Sequence, residues 1–440
     1  IKFTDEKIVK RKKAEQKEKG IDDYEIAEKL MSEYNFKTLE KSNEILFYSG
    51  GIYRESGEYV ISKRSRKLAG NVKLHHIREV QGIIRDETGY IKHDEFDRES
   101  HIINLKNGIL DMLTGVVSDH NEDYLSRVKL PVRYDVSATC PRFDKFLRDS
   151  LENDEKKIRT ILEMMAYALI KDNQLLQKAF MLTGKGSNGK SILFGILFAM
   201  LGKENISAKT IHDFQTSHFA PSALENKLAN ICADVGNKGI KETETLKKII
   251  AGDAIDCERK FMAGYTFMPY STLIFSANEI PEIDDESDGM ARRFELVEFT
   301  KSFYGKDRDK TVKTIRNDAN ELSGILNKLI PIARYLLKEE KLMYESTVQD
   351  AKLQWLEKSD STKQFLDKIM VIESNTHCPI STVTKQYALF CKAEGFSSLD
   401  TRPFNEKMEK LGFERGTARI NNQPTKVWNG FSLNHVTAQS

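Results

Sequence analysis

The chain has 440 residues, 40% of them apolar and 30% charged, with a net charge of only +2. No apolar run approaches the ~18 residues that would suggest a membrane span, and the five cysteines (Cys140, Cys232, Cys257, Cys378, Cys391) show no C-x-x-C spacing that would support a zinc site or a disulfide framework. A near-neutral chain does not announce a nucleic-acid binder, so any such contact must come from local patches.

In chain order, residues 1–22 read as a basic linker or tail containing Lys10-Arg11-Lys12-Lys13. The first residue is Ile1 and no charged-then-apolar leader follows. The chain is therefore expected to be a fragment or processed product with a cytoplasmic location. Residues 23–176 read as an α-rich N-terminal domain, with helical periodicity at 24–34, 72–84 and 143–170. A hairpin is predicted at 45–53, and Ile102 to Asp111 reads as a strand entering a tight Asn107-Gly108 turn.

Residues 177–304 alternate strand and helix, the pattern of a mostly parallel α/β sheet. The apolar run Ala179 to Leu182 leads into Gly184-Lys185-Gly186-Ser187-Asn188-Gly189-Lys190-Ser191, a complete G-x-x-x-x-G-K-S phosphate-loop signature followed by an apolar helix closed at Gly202. Glycines let successive backbone N–H groups turn toward phosphate oxygens. Lys190 is placed to reach the β- and γ-phosphates as a solvated ligand, and the Ser191 hydroxyl to ligate Mg²⁺. A strand at 228–234 delivers Asp234, the best-placed carboxylate for the metal side. A helix at 243–251 and a hairpin at 253–268 follow. The strand 272–276 then leads to Asn278, an amide able to hold an attacking water. Arg292-Arg293 precede another strand and are suited to stabilising charge on a transferring phosphoryl group. Arg293 is favoured because it abuts that strand.

Residues 305–360 read as a helical subdomain broken at Gly324 and Pro331. The segment 361–440 reads as three helices (362–370, 381–394, 401–411) and two strands (415–420, 426–433), a winged-helix-like domain. Lys385, Lys392, Arg402 and Lys407 are its candidate phosphate contacts.

The order of phosphate loop, Asp strand, hairpin, Asn strand and Arg-Arg between residues 184 and 293 resembles the superfamily 3 helicases. More narrowly it resembles the primase–helicase replication proteins of phages, plasmids and poxviruses. Further points of likeness are Lys106 to Asp111, Gly252-Asp253 with Lys260, Phe275 to Pro281, Asp288-Gly289 and Glu321 to Asn327. The resemblance implies an AAA+-like phosphate-loop ATPase core using ATP and Mg²⁺. It implies a homo-oligomeric ring, usually a hexamer, with single-stranded DNA in its channel and forked DNA as substrate, unwound 3′ to 5′. An upstream primase or polymerase domain would lie outside this chain. The hairpin, with Arg259 and Lys260 on its channel face, is the element expected to pull on DNA. The chain departs from many relatives at Ala233, where a second acid often stands, so the base is left to Asp234, Glu242 or Glu244. Two other readings stand beside the helicase: an ATP-dependent origin-binding initiator or remodeller, and, more weakly, a small-molecule kinase.

Overall fold

The computed structural model describes residues 22–433 apart from 71, 185, 236–239, 241–242, 259–263, 279, 282–287, 304–309, 346–354, 356–358, 395 and 397. The chain separates into two compact units, residues 1–131 and 132–440. No described helix is long and apolar enough to cross a membrane, and none of the five cysteines, all buried, is in a disulfide.

The first unit begins with α1 (Asp23–Glu33), β1 (Phe36–Leu39), β2 (Ile45–Ser49) and β3 (Ile52–Arg54). Helices α2 (Gly57–Ala69) and α3 (Leu74–Thr88) and the short β4 (Tyr90–Ile91) follow. The sheet runs β3-β2-β1-β4, with β4 parallel to β1 and the other pairs antiparallel. Ile26, Leu30, Ile45, Ile61, Val80 and Ile84 form a helix–sheet core, while Leu39, Leu46, Tyr53, Ile91 and Phe96 form a second cluster. A further antiparallel sheet holds β5 (Ile102–Leu105), β6 (Gly108–Asp111) and β7 (Val117–Ser118). Gly108 sits at φ 146°, where a Cβ would lie 2.4 Å from the Ser118 carbonyl oxygen, so Asn107-Gly108 does mark a tight turn. Among the described residues of this unit, seven strands, most too short to show a period-two pattern, stand beside three longer helices.

The second unit opens with α4 (Pro141–Ser150) and α5 (Glu155–Tyr167). The single helix expected over 143–170 is broken because Glu152 and Asn153 adopt φ values of 54° and 59°, and Asp154 then caps α5 by accepting from the Lys157 N–H at 3.1 Å. These helices lie in the second unit, whereas the sequence boundary was drawn at residue 176.

The five-stranded sheet contains β8 (Ala179–Thr183), β9 (Ile206–Ser207), β10 (Ala229–Cys232), and after the β11 (Ile255–Cys257) and β12 (Tyr265–Phe267) hairpin, β13 (Thr272–Ala277) and β14 (Phe294–Glu298). Its order is β14-β8-β13-β10-β9 and every pairing is parallel. Every residue of β8, β10 and β13 is buried, as a sheet covered on both faces requires. Helices α6 (Lys190–Leu201), α7 (Ile211–Thr216), α8 (Glu244–Ala251) and the short α9 (Asp288–Ala291) connect the strands.

Helix α10 (Ala319–Glu339) runs unbroken through Gly324 and Pro331, against expectation. Leu322, Ile325, Leu326, Leu329, Ile330 and Leu336 are buried along it. At roughly 1.5–3 kcal/mol each, that burial exceeds the ~3 kcal/mol cost of an interior proline. The tail holds α11 (Ser361–Ile369), β15 (Met370–Pro379), α12 (Ile380–Glu394), α13 (Thr401–Lys410), β16 (Arg415–Ile420) and β17 (Gln423–Leu433). The strands form an antiparallel sheet in the order β15-β17-β16, over a core of Phe365, Tyr387, Phe404, Trp428 and Phe431. β15 was not foreseen: its polar run Glu373 to His377 and the register shift between Ile372 and His377 hide any alternation.

Candidate nucleotide site

The loop from Gly184 to Ser191 leaves the carboxyl end of β8 and enters α6 at Lys190. Among its described residues, three take positive φ: Gly184 at 135°, Ser187 at 64° and Gly189 at 98°. At Gly184 a Cβ would lie 2.2 Å from the Phe299 carbonyl oxygen and 2.5 Å from Asn188 Nδ2, whereas at Gly186 it would meet nothing within 4 Å. The loop is therefore closed against its own sheet and open at its crest.

Bonds to the segment after β14 hold that shape, among them one from the Ser302 hydroxyl to the Gly186 carbonyl at 3.4 Å. Asn188 Nδ2 donates to the Phe299 carbonyl at 3.3 Å, and the Phe303 N–H donates to the Ser187 carbonyl at 2.8 Å. Lys190 lies inside the loop, with its ammonium donating to the Gly184 carbonyl. It is only 7% exposed, which corrects the solvated ligand expected, and burial brings its pKa down to about 8. Ser191 is exposed. Lys185 lies outside the described residues.

Register places the other nucleotide-side candidates. Ala277 pairs with Thr183 at the end of β8, so Asn278 and Gly184 leave adjacent strands side by side. β10 ends at Cys232, earlier than expected, and the Val235 N–H then donates to the Ser276 carbonyl at 2.9 Å, holding the turn that carries Asp234 to the same edge. Both Asp234 and Asn278 are exposed. Loop, carboxylate and amide therefore share the carboxyl edge of a parallel sheet, where open α/β sheets bind ligands. Of the alternative bases, Glu244 is paired with Lys248 at 2.7 Å, which holds its carboxyl below the usual range, and Glu242 lies outside the described residues.

Arg292 and Arg293 stand at the other edge. Phe294 pairs with Ala179, the first residue of β8, and the Ala179 N–H donates to the Arg293 carbonyl at 2.7 Å. Five strand steps separate that point from Gly184, roughly 16 Å. Arg293 turns inward, Nη1 donating to the Gly289 carbonyl at 2.6 Å, and its buried Nε has no partner among the described residues. Burial, with Arg292 beside it, pulls Arg293 below its usual range, while Arg292 is exposed. The preference for Arg293 therefore passes to Arg292.

One residue was missed. Lys178 is buried, donates to the Arg292 carbonyl at 2.7 Å, and pairs with Glu295 and Glu345, each at 2.9 Å. Its signal was a charge abutting the apolar run of β8, with Glu295 as the acid one residue into β14.

The hairpin expected at 253–268 is present, with Ile255↔Phe267 and Cys257↔Tyr265 in register. Its tip, including Arg259 and Lys260, lies outside the described residues. In the tail, Arg402 pairs with Glu406 and Lys407 with Asp360, both at 2.9 Å, whereas Lys385 and Lys392 are exposed.

Among known proteins, residues 27–152 match a family model described as D5 N terminal like, and residues 182–293 match a family of unknown function (DUF5906). The chain is 23% identical over 312 residues to "Putative helicase L207/L206" of Acanthamoeba polyphaga mimivirus, covering 65% of this chain and 32% of that protein. It is 22% identical over 343 residues to "Putative helicase 121R" of Invertebrate iridescent virus 3, covering 69% and 36%. It is 20% identical over 438 residues to "Putative helicase V13" of the Sputnik virophage, covering 90% and 54%. The chain thus spans about a third to a half of these relatives. Among solved structures it is similar to the apo NrS-1 C-terminal region, with a TM-score of 0.48, 14% identity, and coverage of 93% of this chain and 99% of that one.

Proposed function

We propose that this chain is the motor part of an ATP-driven DNA helicase of the superfamily 3 type, serving replication of a phage, virus or plasmid-like element. The observation that carries this reading is the shared strand edge of the Gly184–Ser191 loop, Asp234 and Asn278, with the Arg292-Arg293 turn at the opposite edge. The parallel order β14-β8-β13-β10-β9, with the loop strand second, fits an AAA+-like phosphate-loop core. The relatives bearing helicase names support the same reading.

In this reading the backbone N–H groups of residues 186–190 cradle the nucleotide phosphates, and the open crest at Gly186 leaves room for them. The Lys190 ammonium leaves the Gly184 carbonyl and neutralises the β- and γ-phosphates. No cluster of three His, Cys, Asp or Glu side chains placed to hold a metal occurs among the described residues. Mg²⁺ would be held chiefly by substrate phosphates, with Ser191 and Asp234 completing the set. The ion would neutralise charge developing between the phosphates. Asn278 orients the attacking water, and Asp234 accepts from water, there being no second acid at Ala233.

Arg292, roughly 16 Å from its own loop along the sheet, serves the loop of a neighbouring subunit. Trans action requires an oligomer, for which a hexameric ring is the expected form. The Arg259/Lys260 hairpin would draw on single-stranded DNA in its channel.

The tail order α11-β15-α12-α13-β16-β17 fits a winged-helix module, and this favours a second role in duplex or origin engagement. Forked-DNA unwinding with ATP, read beside particle symmetry by electron microscopy, separates the two. Strand separation by a ring supports the helicase. ATP-dependent duplex binding without strand separation supports the initiator or remodeller.

A further inference from the structure

Helix α2 is fixed to the first unit by one face only. At Gly57 a Cβ would lie 2.3 Å from the Ile45 carbonyl oxygen, and Ile61 and Ser65 are fully buried, so positions 57, 61 and 65 form the packed seam. The one acid of the helix, Glu58, is occupied: it accepts from the Ile45 N–H at 3.1 Å and pairs with Arg85 at 3.3 Å. The opposite stripe, at i, i+4, i+7 and i+8, is Tyr59, Lys63, Arg66 and Lys67, all exposed, with Tyr59 at 65%. Lys63 Nζ lies 5.9 Å from the Tyr59 ring centroid, so cation and aromatic face are adjacent. Among the described residues, none of these three cations forms an ion pair. In the tail, by contrast, Arg402, Lys407 and Arg415 are each paired with an acid.

We infer that this face of α2 is a contact surface for single-stranded nucleic acid. Three cations in no ion pair among the described residues, in a chain whose net charge is only +2, are a concentrated anion-binding stripe. The three cations lie within about 6 Å of helix rise, which concentrates their charge on one short stretch of phosphate backbone. The exposed Tyr59 ring offers a base-stacking platform that tolerates any base. An acidic protein would use the charges but has no need of the ring, so the stripe fits nucleic acid better. This surface extends the helicase reading to the first unit. It is measured without nucleotide, so its failure and that of the phosphate-loop reading are separately visible.

The test is fluorescence anisotropy of a labelled oligothymidylate with the full chain, nucleotide absent, across a KCl series. The variants are Lys63→Gln/Arg66→Gln/Lys67→Gln and Tyr59→Ala, with melting midpoints confirming that both fold. All four side chains are exposed, so both should. The triple variant should bind more weakly, with a log–log salt slope flatter by about 2, three contacts at ~0.7 each. Tyr59→Ala should weaken binding about fivefold or more with the slope unchanged. The proposal is overturned if the triple variant keeps the wild-type slope and affinity. It is equally overturned if the unaltered chain does not bind the oligonucleotide, or if the variants lose only polyglutamate binding, which would mark the face as a site for acidic protein.

Discussion

The Lys190 ammonium donates to the Gly184 carbonyl, spanning the loop from the first residue of α6 back to the end of β8. The pair closes a loop in which the lysine is buried before any phosphate arrives. Burial disfavours the charged form, which brings Lys190 down to about 8 from its ordinary value. On the proposed function, a bound phosphate would hold Lys190 in its charged form.

A pH dependence follows. Below about pH 8 Lys190 is protonated in the free chain and nucleotide affinity should be flat. Above it, binding must take up a proton, and affinity should fall by about tenfold per pH unit. Lys190→Arg, which does not titrate, should abolish this fall. Titration calorimetry in buffers of differing ionisation enthalpy would reveal the proton; pH-independent affinity in the unaltered chain would contradict the placement. The same shift makes the folded state release its proton before the unfolded state does. The group's contribution to stability therefore rises with pH between about 8 and the unfolded value.

Arg292 should act in trans. Mixing Arg292→Ala with Lys190→Ala subunits should restore part of the ATP turnover, because a mixed interface unites an intact loop with an intact arginine. Arg293→Ala should instead reduce stability, since that guanidinium is engaged with the Gly289 carbonyl. If the Arg292 and Lys190 variants co-assemble but never complement, Arg292 is not the trans residue.

Lys178 donates to the Arg292 carbonyl and forms a buried ion pair with Glu295. Lys178→Met leaves Glu295 unpaired in a site where burial already raises its pKa, and should cost about 3–5 kcal/mol. Lys178→Met/Glu295→Met should cost less than the two single changes together. Strict additivity in urea denaturation would show that the two charges are not coupled.

Gly324 meets the backbone of Thr139: a Cβ there would stand 2.2 Å from the carbonyl carbon. Around it, Glu321 accepts from the Arg142 and Phe143 N–H groups, and Asn327 Nδ2 donates to the Asp135 and Ala138 carbonyls. Gly324→Ala should therefore destabilise by about 2 kcal/mol or more, although alanine favours helices. A neutral or stabilising effect on the melting midpoint would show that this approach is not tight.

Much of this was legible in the sequence where chemistry is local. The strand–loop–helix around Gly184–Ser191, the strand before Asn278 and the Ile45–Arg54 hairpin carry their own signals of glycine, apolar run and turn. What was hidden depended on partners far along the chain. Gly324 and Pro331 looked like breaks because the segment at 135–143 that packs on α10 is invisible to periodicity. Arg293 looked like the better-fixed arginine, but being fixed is what turns it inward to Gly289. Lys178 could not be read as a positioning residue without the pairing of β14 to β8. The short strands and β15 lacked the alternation that would have marked them.

The central claim is that this loop hydrolyses nucleotide to move DNA. Its most direct test is steady-state ATP turnover, with and without single-stranded DNA, for the unaltered chain and for Lys190→Ala. The account predicts DNA-stimulated turnover that falls by at least about a hundredfold in Lys190→Ala, at unchanged or slightly higher melting midpoint because a buried charge has been removed. Undiminished turnover in a folded Lys190→Ala protein would contradict it.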